Sequence, residues 1–187
     1  MEQKRLEIRI RPAADLDVPA MAVLHVRAWQ VAYRGQLPDA LLDGLSVSKR
    51  ERDWRQIVQR QSHGPEVATI ADVVVGFCDL VPARDAAGAG DVGEIAAIYI
   101  DPVRWGVGVG RALLESGIER ALRLGYRALT LWVLSTNNPA RLFYERLGFA
   151  PDGESKRLDR PTFSVEEVRY RRALTERGSR PLGGQAP

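Results

Sequence analysis

The spacing of apolar residues along the chain alternates between two periods. In Leu6-Glu-Ile-Arg-Ile-Arg11 every second residue is apolar, the signature of a strand with one buried face. Positions Val18, Met21, Ala22, His25, Ala28, Trp29 and Ala32 then recur at helical spacing. Asp15 or Asp17 is placed to cap that helix, Pro19 fits its first turn, and Tyr33-Arg34-Gly35 ends it. A second helix is predicted from Ser48 to Gln61, with Ser48 as its cap and Glu51 at the capping-box position. The period then returns to two: Val67–Ala71 and Val73–Val81 read as adjacent strands joined around Asp72. Pro82–Gly93, rich in Gly, Ala and Asp, reads as a mobile loop. Glu94–Ile100 is an apolar strand halted at Asp101-Pro102, because the residue before proline is kept out of the helical region. Val109, Leu113, Leu114, Ile118, Ala121 and Leu122 restore the helical period up to Gly125, and Ala128–Leu134 is again a strand. Asn137–Leu147 reads as a helix closed by Gly148, Phe149 opens an extended segment, and Val165–Leu174 is the last strand. The order β-α-α-β-β-β-α-β-α-β-β predicts an α/β chain of mixed α+β type, a sheet with helices packed on it, over a single domain of residues 1–174. Residues 175–187 read as a disordered tail.

Composition narrows the picture by exclusion. A chain of 187 residues is long enough for one sizeable core. No apolar run approaches the ~18 residues that cross a bilayer, and Met1-Glu-Gln-Lys-Arg5 is followed by no signal-peptide core. The single cysteine, Cys78, excludes an internal disulfide and no Cys/His spacing fits a metal site, so a cytoplasmic protein without metal is expected. The net charge of +3 is scattered, with no basic arm or tract, and this argues against a nucleic-acid partner.

Candidate chemistry concentrates in Asp101-Pro-Val-Arg-Trp-Gly-Val-Gly-Val-Gly-Arg111. A strand runs into glycines at every second position and a helix leaves them. Glycine lets the backbone approach a ligand closely and adopt positive φ, and the free N–H groups of a helix start attract an anion. Two familiar phosphate loops fail on residues. The dinucleotide pattern G-x-G-x-x-G finds Arg111 or Leu113 where its last glycine belongs, and Gly-Lys-Ser/Thr is absent.

Residues 94–114 resemble the central motif of the GNAT superfamily of N-acetyltransferases, Gln/Arg-x-x-Gly-x-Gly/Ala after a strand ending near Asp-Pro. Here it falls on Trp105-Gly-Val-Gly-Val-Gly110. The family's second motif, Asn-x-x-Ala-x-x-x-Tyr-x-x-x-Gly-Phe, falls on Asn137, Ala140, Tyr144, Gly148 and Phe149. The resemblance covers residues 6–174 and implies a GNAT-like fold, a mixed, mostly antiparallel sheet flanked by helices on both faces. It also implies acetyl-CoA as cosubstrate. In that reading the backbone of Ile98, Tyr99 and Ile100 pairs with the pantetheine arm, and one N–H there polarises the thioester carbonyl. The amides of Gly106, Val107, Gly108, Val109, Gly110 and Arg111 hold the pyrophosphate. Trp105 stands where the family keeps Gln or Arg, so Arg104 or Arg111 is expected to supply the missing charge. Asn137 and Ala140 face the cofactor, although Asn137 reads equally well as a helix cap.

The resemblance further implies Tyr144 as the acid toward the CoA sulfur and Glu94 as the base toward the amine, against packing roles for both. The N-terminal helices would build the acceptor pocket, with Trp29 and Tyr33 sharing one helix face at i and i+4. The acceptor would be a small-molecule amine, with a peptide or protein amine left open, and the protein a monomer or homodimer. The alternative is a non-catalytic acyl-CoA-binding module of the same fold.

Overall fold

A computed structural model of the chain describes residues 7–60, 64–84 and 90–175. It contains a seven-stranded sheet in the order β1-β2-β3-β4-β5-β7-β6. The strands are β1 (Ile8–Pro12), β2 (Glu66–Ile70), β3 (Val73–Pro82), β4 (Val92–Ile100), β5 (Ala128–Leu134), β6 (Ala150–Arg160) and β7 (Phe163–Ala173). Every pairing is antiparallel except that of β4 with β5. The helices are α1 (Val18–Ala32), α2 (Asp39–Asp43), α3 (Val47–Val58), α4 (Val109–Arg123) and α5 (Asn138–Glu145).

The period-2 pattern of β3 and β4 sorts the helices onto two faces. Cys78, Leu80, Ile98 and Ile100 point into a cluster with Leu113, Leu114 and Ile118 of α4 and Phe143 and Tyr144 of α5. Phe77, Ala97 and Tyr99, the alternate residues, meet Met21, Leu24 and Ala28 of α1 and Trp54 of α3 on the other side. Leu113 and Leu114 are fully buried, each contributing about 1.5–3 kcal/mol of apolar burial. The sheet therefore separates an α4–α5 layer from an α1–α3 layer.

Several boundaries differ from the sequence expectation for local reasons. Between the first two long helices the short α2 intervenes, one turn whose five residues carry too few apolar positions to show a period. Ser46, not Ser48, caps α3 by accepting from the Lys49 amide at 3.2 Å. Asp17 precedes α1 but caps nothing, since its carboxylate accepts from Arg11 at 2.6 and 2.8 Å and from the Ala14 amide at 2.8 Å. The β2–β3 hairpin turns on Ala71 and Asp72, both left-handed at φ 48° and 61°, the geometry that matches strand twist in two-residue hairpins. β4 begins at Val92, inside the expected loop, whose residues 85–89 lie outside the described ones. The expected tail at 175–187 lies, past Thr175, outside them as well. β7 sits between β5 and β6, so Val165–Tyr170 belongs to the chain's own sheet.

Candidate active site

The parallel contact between β4 and β5 is short. It covers Val92↔Ala128, Gly93↔Leu129 and Glu94↔Thr130, and then it stops. β5 stays bound to β7 over its whole length and β4 stays bound to β3, so the two central strands diverge past Glu94. An extra residue in β4, Ala96, interrupts its register with β3 between Asp79↔Ala97 and Leu80↔Ile95, and a bulge of this kind bends the strand that carries it. Ala96–Ile100 are half-buried along the resulting notch, where no strand pairs with their β5-facing edge. Ile98, Tyr99 and Ile100 lie on this stretch, as the sequence expectation requires of a strand that accepts an extended ligand.

The glycine turn follows directly. Asp101 caps a short 3-10 turn, Pro102–Arg104, accepting from the Val103 amide at 3.3 Å. The Trp105 indole then donates to the Ile100 carbonyl at 3.1 Å, fastening the turn to the end of β4. Gly106 and Gly108 take φ of 79° and 97°, and Gly108 is the residue from which α4 starts. A Cβ on Gly106 would meet nothing within 4 Å, whereas one on Gly110 would come to 3.2 Å from both Ile100 Cδ1 and Phe143 Cζ. Gly106 therefore serves backbone conformation, and Gly110 lets α4 approach β4 and α5. The Trp105 amide is taken up by the Pro102 carbonyl at 3.2 Å. From Gly106 to Arg111, no carbonyl or side chain among the described residues accepts an amide proton, and the first such bond is Ala112 to Gly108 at 3.0 Å. This row of outward amides adds to the positive end of α4 to make an anion cradle. Arg104 is half-buried beside it, and Arg111 is exposed with Glu115 at 3.8 Å.

Across the notch, Asn137 caps α5 by accepting from the Ala140 amide at 3.3 Å. Its cap role is thus realised, while Ala140 packs on the α4-side core. Tyr144 shares that core, its phenol pushed up by burial with Tyr99 and Cys78 as electrostatic neighbours. The Tyr144 ring lies against Phe143, Phe149 and Tyr170, at 5.2, 6.2 and 6.5 Å between centroids, and no hydrogen bond ties down its hydroxyl among the described residues. Cys78 itself is buried, and its thiol is pushed up by that burial. Glu94 is also buried, with both oxygens engaged: Oε2 accepts from the Arg84 amide at 3.2 Å, and Oε1 from Arg84 Nε at 3.2 Å and from Nη2.

A family model for the acetyltransferase (GNAT) family matches residues 26–149, a span that contains the cradle, the notch and α5. The chain belongs to the GNAT acetyltransferase family. It is 30% identical over 165 residues to YuaI of Bacillus subtilis, an uncharacterized N-acetyltransferase, covering 88% of this chain and 89% of that one. The fold is similar to that of the PaiA N-acetyltransferase of Thermoplasma acidophilum bound to coenzyme A, with TM-score 0.73 and 17% identity over 90% of this chain and 99% of that one. It is also similar to YncA of Salmonella typhimurium with acetyl-CoA, with TM-score 0.67 and 21% identity over 90% and 95%. The chain is an acyltransferase of the N-acetyltransferase kind, and its mostly antiparallel sheet with helices on both faces is the GNAT fold.

In this GNAT chain the α1–α3 face of β4 carries the aromatic pair that the sequence expectation assigns to the acceptor side. Trp29 and Tyr33 stand edge to face, ring centroids 5.1 Å apart, both partly exposed. The Tyr33 phenol is pushed up by burial and has Tyr99, Tyr144 and Glu167 as electrostatic neighbours. Through His25, which stacks on Tyr99 at 4.4 Å, the aromatic wall of α1 reaches β4. Sequence reasoning missed two members of this group. Glu167 on β7 pairs with Lys156 at 3.1 Å and is an electrostatic neighbour of Tyr33 and Tyr99. Arg84, at the edge of a loop with no periodic signal, closes over Glu94. Charged residues alternating along β7 were the only sequence signal for the first, and nothing local marked the second.

Proposed function

We propose that the chain transfers the acetyl group of acetyl-CoA to the primary amine of a small molecule, by direct attack while both are bound. The observation that carries this reading is the unbroken row of unpartnered amides from Gly106 to Arg111, opening beside the unpaired edge of β4. The residues present fit the cosubstrate. The amides suit a pyrophosphate, Gly106 leaves space for its close approach, and the β4 edge offers backbone partners to the pantetheine amides. Each amide bond to a charged oxygen is worth about 1.5–3 kcal/mol, so the cradle needs no arginine or glutamine at position 105. Trp105 serves here as a strut to Ile100, with Arg104 and Arg111 adding positive potential at the rim.

Bound acetyl-CoA supplies the activated thioester. An N–H of the Ile98–Ile100 segment donates to its carbonyl oxygen, an interaction that strengthens as charge develops there. The Tyr144 phenol, held protonated by burial, donates a hydrogen bond to the departing sulfur. A thiolate whose conjugate thiol has pKa ~8.5 does not take that proton outright from a phenol above ~10, so hydrogen bonding to the developing thiolate is the larger part of this role. An alkylamine has a pKa of ~10.4 and must lose its proton before attack. Solvent takes that first proton; the neutral amine attacks, and Glu94 accepts the proton its nitrogen sheds as the C–N bond forms, once Arg84, whose side chain is 67% exposed, swings off the carboxylate. Trp29 and Tyr33 form the wall against which the amine is held.

Calorimetric titration with acetyl-CoA and CoA, followed by thiol release over an amine panel, tests the reading. Micromolar binding of both and thiol release only with an amine present are expected. Binding without release under any amine makes the chain a cofactor-binding module, and no binding removes the cradle from the account.

A further inference from the structure

The α1–α3 face holds a second set of unpartnered donors, formed by side chains. His25 is 94% buried, at 6% relative exposure, and its Nδ1 accepts the Trp54 indole N–H at 2.9 Å. Nδ1 is therefore unprotonated and the ring's proton sits on Nε2. Burial, with Arg50 adding to it, lowers the His25 pKa to about 3, so the ring is neutral at ordinary pH. Nε2–H is buried and has no acceptor. One turn along α1, the Trp29 indole N–H is likewise buried without an acceptor; it approaches the Tyr99 hydroxyl without reaching hydrogen-bond geometry. The two rings lie 5.6 Å apart, and His25 stacks on Tyr99 at 4.4 Å. The Arg50 guanidinium covers the outer face of Trp29 at 5.3 Å. Its carboxylate neighbour, Asp53, is 3.8 Å away on the same helix, too far to saturate five N–H donors.

Three donor groups thus lie around Trp29; neither neutral N–H has an acceptor among the described residues, and the cationic one, Arg50, has only the 3.8 Å contact with Asp53. A buried N–H left unpaired costs about 1–3 kcal/mol, and two neutral donors with one guanidinium match a carboxylate. The opposite sign faces them from β7. Val168 and Tyr170 of β7 turn to the α4-side core, which leaves Glu167 on the α1–α3 side, where it pairs with Lys156 at 3.1 Å and is an electrostatic neighbour of Tyr33 and Tyr99. A ligand lying along Trp29, Tyr33 and Tyr99 meets donors at one end and a carboxylate at the other.

We propose that the acceptor of this enzyme is a free amino carboxylate. Its carboxylate is received by His25 Nε2–H, Trp29 Nε1–H and Arg50, and its amine is directed by Glu167 toward the β4–β5 notch. The inference rests on the acetyltransfer reading above and adds the class of acceptor. The wall between the charged ends is aromatic, so an apolar side chain is favoured, and amines without an anionic group leave the His25–Trp29 end unmatched.

The test compares three matched amines, leucine, leucinamide and isoamylamine, and the corresponding phenylalanine set, by thiol release from acetyl-CoA. The free acids are expected to exceed both neutral analogues at least tenfold in kcat/KM. In Arg50→Gln that ratio collapses toward one through a rise in KM for the acid, with kcat little changed, and Arg50→Lys restores part of it. The acetyl-CoA affinity of each variant, measured by calorimetry, serves as the folding control. Equal or faster turnover of the neutral amines, or an unaltered ratio in a folded Arg50→Gln, overturns the assignment and leaves the His25–Trp29 donors to an ordered water, while acetyltransfer stands. Failure to bind acetyl-CoA or to acetylate any amine overturns the acetyltransfer reading itself.

Discussion

Two groups of under-partnered donors lie on opposite sides of β4, and they are encoded differently. The cradle of residues 106–111 is built of backbone N–H groups, exposed and contiguous in sequence. The His25–Trp29–Arg50 group is built of side chains, largely buried and drawn from two helices. In the first, the required chemistry is conformational, and glycines at positive φ create it. In the second, the chemistry is in the donors themselves, and the α1–α3 packing creates the site by denying them partners. The cradle should therefore respond to backbone changes and ignore most side-chain changes, and the acceptor side should do the reverse.

The largest effect expected tests the backbone half. A Cβ on Gly106 would meet nothing, and one on Gly108 only Ile8 Cδ1 at 3.9 Å, an ordinary contact, so alanine there acts through φ, at a cost of about 1–2 kcal/mol per residue, and turns the amides away. The double variant Gly106→Ala/Gly108→Ala should weaken acetyl-CoA binding about a hundredfold, the loss of roughly two charge-assisted bonds. Gly125 has φ 83°, with equally open surroundings, at the other end of α4. Gly125→Ala should lower Tm but leave the acetyl-CoA Kd unchanged. A loss of affinity in Gly125→Ala would show that helix stability, not amide direction, governs binding.

A smaller effect separates the two proton roles. Tyr144→Phe should lower kcat at least tenfold with acetyl-CoA Kd little altered, at the low end of the ~10²–10⁴ range for proton-transfer groups because hydrogen bonding carries most of its role. Glu94→Gln should instead displace the rising limb of the pH–rate profile to higher pH. Wild-type turnover in the first, or an unmoved profile in the second, removes that residue from the chemistry.

The last effect concerns the buried side-chain group and is read in stability alone. His25 has a folded pKa of about 3 against roughly 6.5 unfolded. Between those values the unfolded chain binds one more proton, so His25 makes stability fall as pH drops, by about 1.4 kcal/mol per unit. Asp79, whose carboxyl burial pushes up, acts in the opposite direction but is common to wild type and variant. Denaturant unfolding of His25→Gln between pH 4 and 7 should show a shallower pH slope than wild type. Equal slopes would mean that His25 is protonated in the folded chain, and the Nε2–H assignment fails with it.

How much of this was legible follows from the same contrast. Trp105–Gly110 could be read in the sequence because the cradle is local: strand, glycines and helix follow one another, and their spacing decides which amides go unpartnered. β5 ran as expected from Ala128 to Leu134, and Asn137 emerged as a cap, for the same reason. The engagement of Glu94 by Arg84 was not legible, since the two are joined by a loop without pattern and meet only across the end of the sheet. Glu167 was hidden because β7 reaches the site through its place between β5 and β6, which no local period reveals. The donors of His25 and Trp29 were visible as residues, and the helical period put them on one face. Their lack of acceptors is a property of the packed α1–α3 layer.

The central claim, that the amides from Gly106 to Arg111 receive the cofactor's pyrophosphate, is tested most directly by their own resonances. In an 15N-labelled chain titrated with CoA, those amide protons should move downfield on binding while the amides around Gly125 hold still. Saturable CoA binding with the Gly106–Arg111 amides unmoved would contradict the account.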